Sequence, residues 1–112
     1  MSLDRFFQRT YSRARYNCFH HAAEVWQHLT GEDILARLAG ALEGVSRTHV
    51  QGFRRLARPA DPCLVLMRQP VTRDMHVGVM VRGMVMHIQP RGVELQPLDV
   101  ASFGFSDVRF YT

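Results

Sequence analysis

The stretch 76–87, HVGVMVRGMVMH, decides the fold of the second half of the chain. Apolar residues alternate along it, as they do in strands that bury one face. Its only turn-like pair is Arg82-Gly83, and a two-residue loop there sets the register of a β-hairpin. That register puts six apolar side chains on one face: Val77, Val79, Val81, Met84, Met86 and Ile88.

The opposite face of the predicted hairpin carries two histidines. Gly78 lies directly across from His87, so His76 and His87 are diagonal neighbours within side-chain reach of each other. A single histidine on a strand is most often structural. Two imidazoles side by side on one sheet face are candidates for proton transfer.

The segments around the hairpin share its period of two, whereas the N-terminal half has a helical period. Strands joined by short turns are antiparallel, so the predicted fold class is α+β, with N-terminal helices packed on an antiparallel sheet. At 112 residues the chain suits one domain, predicted to span 1–112. Strands are predicted near 50–56, 63–68, 76–82, 84–89, 92–96 and 107–111.

The first predicted helix begins within YNCFHHAAEVW, residues 16–26. Asn17 is a good N-cap, and Cys18 follows it at the edge of the apolar face, in the first turn. His20 and His21 fall on the polar side of the helical wheel, so both are predicted to be solvated.

A second helix is predicted to follow directly. Thr30 would be its N-cap, with Asp33 completing a capping box three residues later. Gly44 is its predicted stop.

Cys18 is a candidate nucleophile because of its position. A helix N-terminus carries partial positive charge, which favours the thiolate and lowers a cysteine pKa from its usual value of about 8.5. If the helix packs its Cys18 edge against the face with His76 and His87, thiol, base and orienting group come together, as cysteine acyl-transfer enzymes require. The alternative is a small core residue. Cys63 and His49 are predicted to be structural, and both cysteines to be free thiols, although one bridge between them is possible.

These motifs resemble those of the NlpC-type cysteine peptidases, papain-like enzymes that hydrolyse peptide bonds in bacterial cell wall. YNCFHHAAEVW is similar to the family's helix that opens on an Asp-Cys pair, with Asn17 in the place of the Asp. HVGVMVRGMVMH is similar to its HVGIYLGNG hairpin, which ends near a polar residue that is often His. The resemblance covers nearly the whole chain.

The resemblance implies a papain-like fold and a role for each matched residue. Cys18 would be the nucleophile, His76 the general base and His87 the group that orients it, with Tyr11 or Tyr16 helping to bind the oxyanion. The implied substrate is an amide bond in peptidoglycan stem peptides, without a cofactor. The implied partners are phage or prophage tail proteins, because small stand-alone members resemble tail-associated peptidases.

Two other functions stay open. The chain could be a catalytically inactive structural or assembly protein of a phage tail that keeps the fold. It could also bind a metal through Cys18, His76 and His87, although a single cysteine and no closely spaced ligand pair argue against this site.

Charge and hydropathy indicate which partners and which cellular compartment to expect. All fourteen basic residues are arginine and the net charge is +4, but the arginines are scattered and no base-reading motif accompanies them, so specific nucleic-acid binding is not predicted. No apolar run has the length of a signal peptide or a membrane span. We therefore expect synthesis in the cytoplasm, no membrane partner, and delivery, if any, as part of a phage tail.

Overall fold

The computed structural model describes residues 2–42 and 53–112. They form helices and a six-stranded sheet in which every pairing is antiparallel, which confirms the α+β class. The helices are α1 (Asp4–Phe7), α2 (Cys18–Thr30), α3 (Leu35–Leu42) and α4 (Leu98–Ala101). The strands are β1 (Arg55–Leu56), β2 (Cys63–Arg68), β3 (Met75–Val81), β4 (Met84–Gln89), β5 (Gly92–Gln96) and β6 (Ser106–Tyr111).

The hairpin has the predicted register. Val79 pairs with Met86 and Val81 with Met84, and the loop residues Arg82 and Gly83 have φ of 54° and 76°. Positive φ at both loop positions is the requirement of the type I′ turn, whose twist matches that of the strands.

The other strands match their predictions closely, except the first. Only Arg55–Leu56 is a strand there, and residues 50–52 of the prediction lie outside the described part of the chain. The strand order is β1-β6-β2-β3-β4-β5, so the C-terminal strand β6 lies between β1 and β2.

The pairing between strands β3 and β4 is shorter than the strands themselves. Their ladder runs from the loop only as far as the pair Val79 and Met86. Beyond it each strand keeps its other neighbour, since His76 pairs with Met67 of β2 and His87 with Glu94 of β5. The backbone pairing of the two strands therefore ends before it reaches the two histidines.

The sheet buries both faces. Helices α1, α2 and α3 cover the face predicted to be apolar, where Val77, Val79, Met86 and Ile88 have at most 1% of their surface exposed. Burial of each such side chain stabilises the fold by roughly 1.5–3 kcal/mol relative to its exposure. The opposite face packs a smaller core under α4 and the start of β6: Cys63, Val65, Met67, Met80, Val85 and Ala101.

Helix α2 begins where predicted. The Asn17 side chain accepts the Phe19 N–H at 3.0 Å, and the His20 Nδ1 accepts the Asn17 N–H at 3.1 Å, which together make a capping box. This cap fixes the position of Cys18 in the first turn. None of the helices described in residues 2–42 and 98–101 is long and apolar enough to span a bilayer.

The predicted start of the second helix is wrong. Thr30 is the last residue of α2, where its hydroxyl donates to the Trp26 carbonyl at 2.8 Å. Gly31, at a φ of 81°, is the C-cap, because the left-handed conformation that ends a helix suits glycine. Asp33 accepts the Leu35 N–H at 3.2 Å at the start of α3. Gly44 and His49 lie outside the described residues.

Gly78 lies where β3 packs closely against β4. A Cβ at Gly78 would lie 2.8 Å from Val85 Cγ1 and 3.1 Å from His87 Cβ. Gly78→Ala should therefore lower the free energy of unfolding by about 1–3 kcal/mol, as overpacking does. Gly83→Asn is the comparison, because a Cβ added at Gly83 would have no atom within 4 Å and Asn tolerates positive φ. This substitution should lower the free energy of unfolding by no more than about 1 kcal/mol. Urea unfolding measures both, and equal losses would contradict the close approach.

Candidate active site

His76 and His87 form a buried hydrogen-bonded pair. His76 Nε2 lies 2.8 Å from His87 Nδ1, and the side chains have 9% and 1% of their surface exposed. The Phe105 ring stacks on His76 with centroids 5.3 Å apart and planes 9° from parallel. This contact holds the imidazole in one plane and covers one of its faces.

Burial keeps both imidazoles neutral. It lowers the pKa of His76 to about 3, with further lowering by His87 and His21. Burial also lowers the pKa of His87, against the opposing effects of a hydrogen bond with Gln96 and the charge of Glu94. A neutral imidazole is a proton acceptor, so His76 has the charge state of a general base at neutral pH.

Two polar residues of β5 extend the pair. Gln96 Oε1 lies 2.8 Å from His87 Nε2, and Gln96 Nε2 lies 2.8 Å from Glu94 Oε2. Arg91 donates to Glu94 Oε1 at 2.8 Å. We did not predict Glu94 or Gln96 as site residues, although a signal was present: period two puts them on one face of GVELQ, and the turn QPRG pairs that strand with the strand of His87.

Cys18 lies at the start of α2 with 8% of its surface exposed. The backbone N–H groups of Val77, Cys18 and Phe19 act to lower the pKa of its thiol. The Val77 N–H belongs to the peptide bond that joins His76 to Val77, in the part of β3 that lies beyond the ladder with β4. The fold therefore brings the predicted nucleophile to the backbone of the predicted base, across some sixty residues of sequence.

The contact does not extend to a hydrogen bond with an imidazole. Among the described residues none joins Cys18 to His76 or His87, and Cys18 packs in the core under α2, whereas His76 stacks on Phe105 of the other face. The expected lowering of the Cys18 pKa is wrong. Burial raises the pKa of this thiol and outweighs the three N–H groups, and no neighbouring imidazolium exists to offset it, because His76 is neutral.

Cys63 is a core residue of the opposite face. It is fully buried, and its pKa is raised chiefly by burial. Both cysteines are free. In residues 2–42 and 53–112 no cluster of three or more His, Cys, Asp or Glu is placed to hold a metal ion, so the geometry does not support a metal site at Cys18, His76 and His87.

One of the two candidate tyrosines already uses its hydroxyl group in a hydrogen bond. Tyr16 donates to Glu24, which also accepts two hydrogen bonds from Arg9 at 3.0 and 3.1 Å. Burial, followed by the contact with Glu24, raises the pKa of Tyr16. Its hydroxyl is therefore committed, and Tyr11, which packs on the same core, is the better candidate for an oxyanion contact.

The prediction that His21 is solvated is wrong. His21 is fully buried, and its Nε2 lies 3.2 Å from the Phe6 carbonyl oxygen. Helix α1, which we did not predict, covers this side of α2. His20 is half-buried and takes part in the cap of α2. The helical wheel therefore predicted the surroundings of neither His20 nor His21 correctly.

No protein-family model, curated protein or solved structure matches this chain. The resemblance to cell-wall peptidases therefore rests on the motifs themselves, and the function that it implies is a proposal.

The burial of His21 predicts a pH dependence of stability. Burial lowers its pKa from 6.5 to about 4, so below pH 6.5 the unfolded chain takes up a proton that the folded chain does not. Stability is lost as the pH falls from 6.5 toward 4, at about 1.4 kcal/mol per pH unit for this residue. His21→Gln should remove about that much from the slope of unfolding free energy against pH, measured by urea titration. An unchanged slope would contradict the assignment.

Proposed function

We propose that this chain is a cysteine hydrolase with a papain-like fold, which cleaves an amide bond in bacterial peptidoglycan stem peptides. Cys18 is the nucleophile, His76 the general base and His87 the group that orients His76. The observation that carries the proposal is the buried, hydrogen-bonded His76–His87 pair, whose strand continues at Val77 into the core that contains Cys18. The substrate class comes from the resemblance of the two motifs to cell-wall peptidases.

Proton transfer accompanies the attack and does not precede it. Burial raises the pKa of Cys18 and lowers that of His76, so the resting pair is a neutral thiol and a neutral imidazole. His76 takes the thiol proton as sulfur bonds to the substrate carbonyl carbon, and the carbonyl electrons move to oxygen. His87, already in contact with His76 Nε2, stabilises the imidazolium that forms.

The remaining steps use the same groups. The Cys18 N–H at the start of α2 and the Tyr11 hydroxyl are the donors that suit the oxyanion. Collapse of the intermediate expels the amine, which leaves with the proton held by His76. Water then gives a proton to His76, attacks the acyl-thioester, and releases the acid and the free thiol.

A second candidate is a structural or assembly protein of a phage tail with the same fold but no activity. The absence of a Cys18 to imidazole hydrogen bond in the described residues favours it, as does the raised pKa of the thiol. In that case Cys18 is a core residue, and the histidine pair joins β3 to β4 beyond the end of their ladder.

Removal of the thiol distinguishes the two functions. Cys18→Ala should abolish the release of amino groups from purified peptidoglycan, because it removes the proposed nucleophile. Cys63→Ala is the matched control: it also truncates a buried cysteine, on the opposite face of the sheet, and should keep the activity. Thermal unfolding should show that both variants fold.

Activity in Cys18→Ala would contradict the proposed mechanism. If the wild-type protein releases no amino groups from peptidoglycan and Cys18→Ala binds tail proteins as well as wild type does, the structural function is correct.

A further inference from the structure

The hydrogen bonds behind His87 have a direction that can be assigned from their outer end. A carboxylate only accepts hydrogen bonds, so Glu94 Oε2 must accept from Gln96 Nε2, which lies 2.8 Å away. Its other oxygen accepts from Arg91. The amide of Gln96 is thereby oriented with Nε2 toward Glu94 and its oxygen toward His87.

The orientation of the Gln96 amide determines the direction of the next two hydrogen bonds, to His87 and from His87 to His76. Because Gln96 presents an oxygen, the bond of 2.8 Å to His87 Nε2 requires a hydrogen on that nitrogen. A neutral imidazole carries one N–H, so His87 Nδ1 has a lone pair. It accepts from His76 Nε2–H over the next 2.8 Å, which leaves His76 Nδ1 without a hydrogen.

We propose that Gln96 and Glu94 are positioning residues that set the tautomer of His76, so that its Nδ1 is free to accept a proton. Gln96 acts through His87, and Glu94 acts through Gln96 by preventing the amide from turning over. The assignment rests on the proposed function only where it calls the accepted proton that of Cys18. The tautomers themselves follow from the hydrogen bonds.

The opposite direction would disable the base. If a donor faced His87 Nε2, the hydrogen of His87 would lie on Nδ1 and point at His76 Nε2. His76 would then carry its hydrogen on Nδ1 and could not take the thiol proton. The direction of three hydrogen bonds, rather than the distance between the imidazoles, thus decides whether His76 is a base.

Gln96→Lys reverses the direction while keeping a long polar side chain next to Glu94. An ammonium only donates, so His87 should change from the Nε2–H to the Nδ1–H tautomer, and His76 with it. Two-dimensional ¹H–¹⁵N spectra of histidine-labelled protein at pH 7 report each tautomer directly. Release of amino groups from purified peptidoglycan should fall about 10²- to 10⁴-fold, the contribution of a positioned general base.

Two further variants distinguish the effect of hydrogen-bond direction from a general effect of the added charge on the protein. Gln89→Lys places the same charge at the end of β4, outside the hydrogen-bonded chain, and both tautomers should stay as in wild type. The exchange Glu94→Gln with Gln96→Glu keeps composition and charge, and it puts an acceptor opposite His87 Nε2. It should restore the Nε2–H tautomers and regain most of the turnover lost in Gln96→Lys.

The spectra distinguish a failure of this inference from a failure of the proposed function. Nδ1–H tautomers in the wild-type protein, or tautomers that Gln96→Lys leaves unchanged, would overturn the roles of Gln96 and Glu94 whatever the activity. The expected tautomers in a protein without activity on peptidoglycan would support the hydrogen-bond assignment and refute the hydrolase.

Discussion

The hydrogen bond between His76 and His87 is the interaction on which the candidate site depends. It joins β3 and β4 beyond the end of their ladder, where backbone pairing no longer holds the two strands together. A buried polar group left without a partner costs about 1–3 kcal/mol, so each imidazole stabilises the burial of the other. Gly78 makes this possible, because a side chain there would meet His87. The close approach of Gly78 to β4 and the histidine pair are therefore one feature.

Burial determines the chemistry of this feature more than local charge does. A helix N-terminus beside an imidazolium would give a thiolate at rest, yet both groups lie where charge is costly, and their pKa values move in the directions that keep them neutral. A site of this kind holds little charge until a substrate carbonyl accepts the electrons from sulfur. The same burial excludes water from the Cys18 thiol. A folded protein in which this thiol is unreactive is therefore also compatible with the structure.

Much of the fold and part of the site could be predicted from the sequence. The register of the hairpin follows from one turn and the alternation of its strands, and the contact between His76 and His87 follows from that register. The burial of His21 could not be predicted, because it depends on the short helix α1, which has only four residues and no clear periodicity. The placement of Cys18 in the core with Val77, rather than on an imidazole, depends on how α2 packs on the sheet, and no local pattern in the sequence specifies that packing.

Detection of an acyl-enzyme would test directly whether Cys18 is a nucleophile, because only a nucleophilic Cys18 can form this species. Intact-mass spectrometry of protein quenched rapidly during incubation with soluble peptidoglycan fragments measures it. We expect an adduct that peptide mapping places on Cys18, present in the wild-type protein and absent when His76 is replaced by Gln. A substrate that is hydrolysed without an adduct in wild type, or an adduct on Cys63, would contradict it.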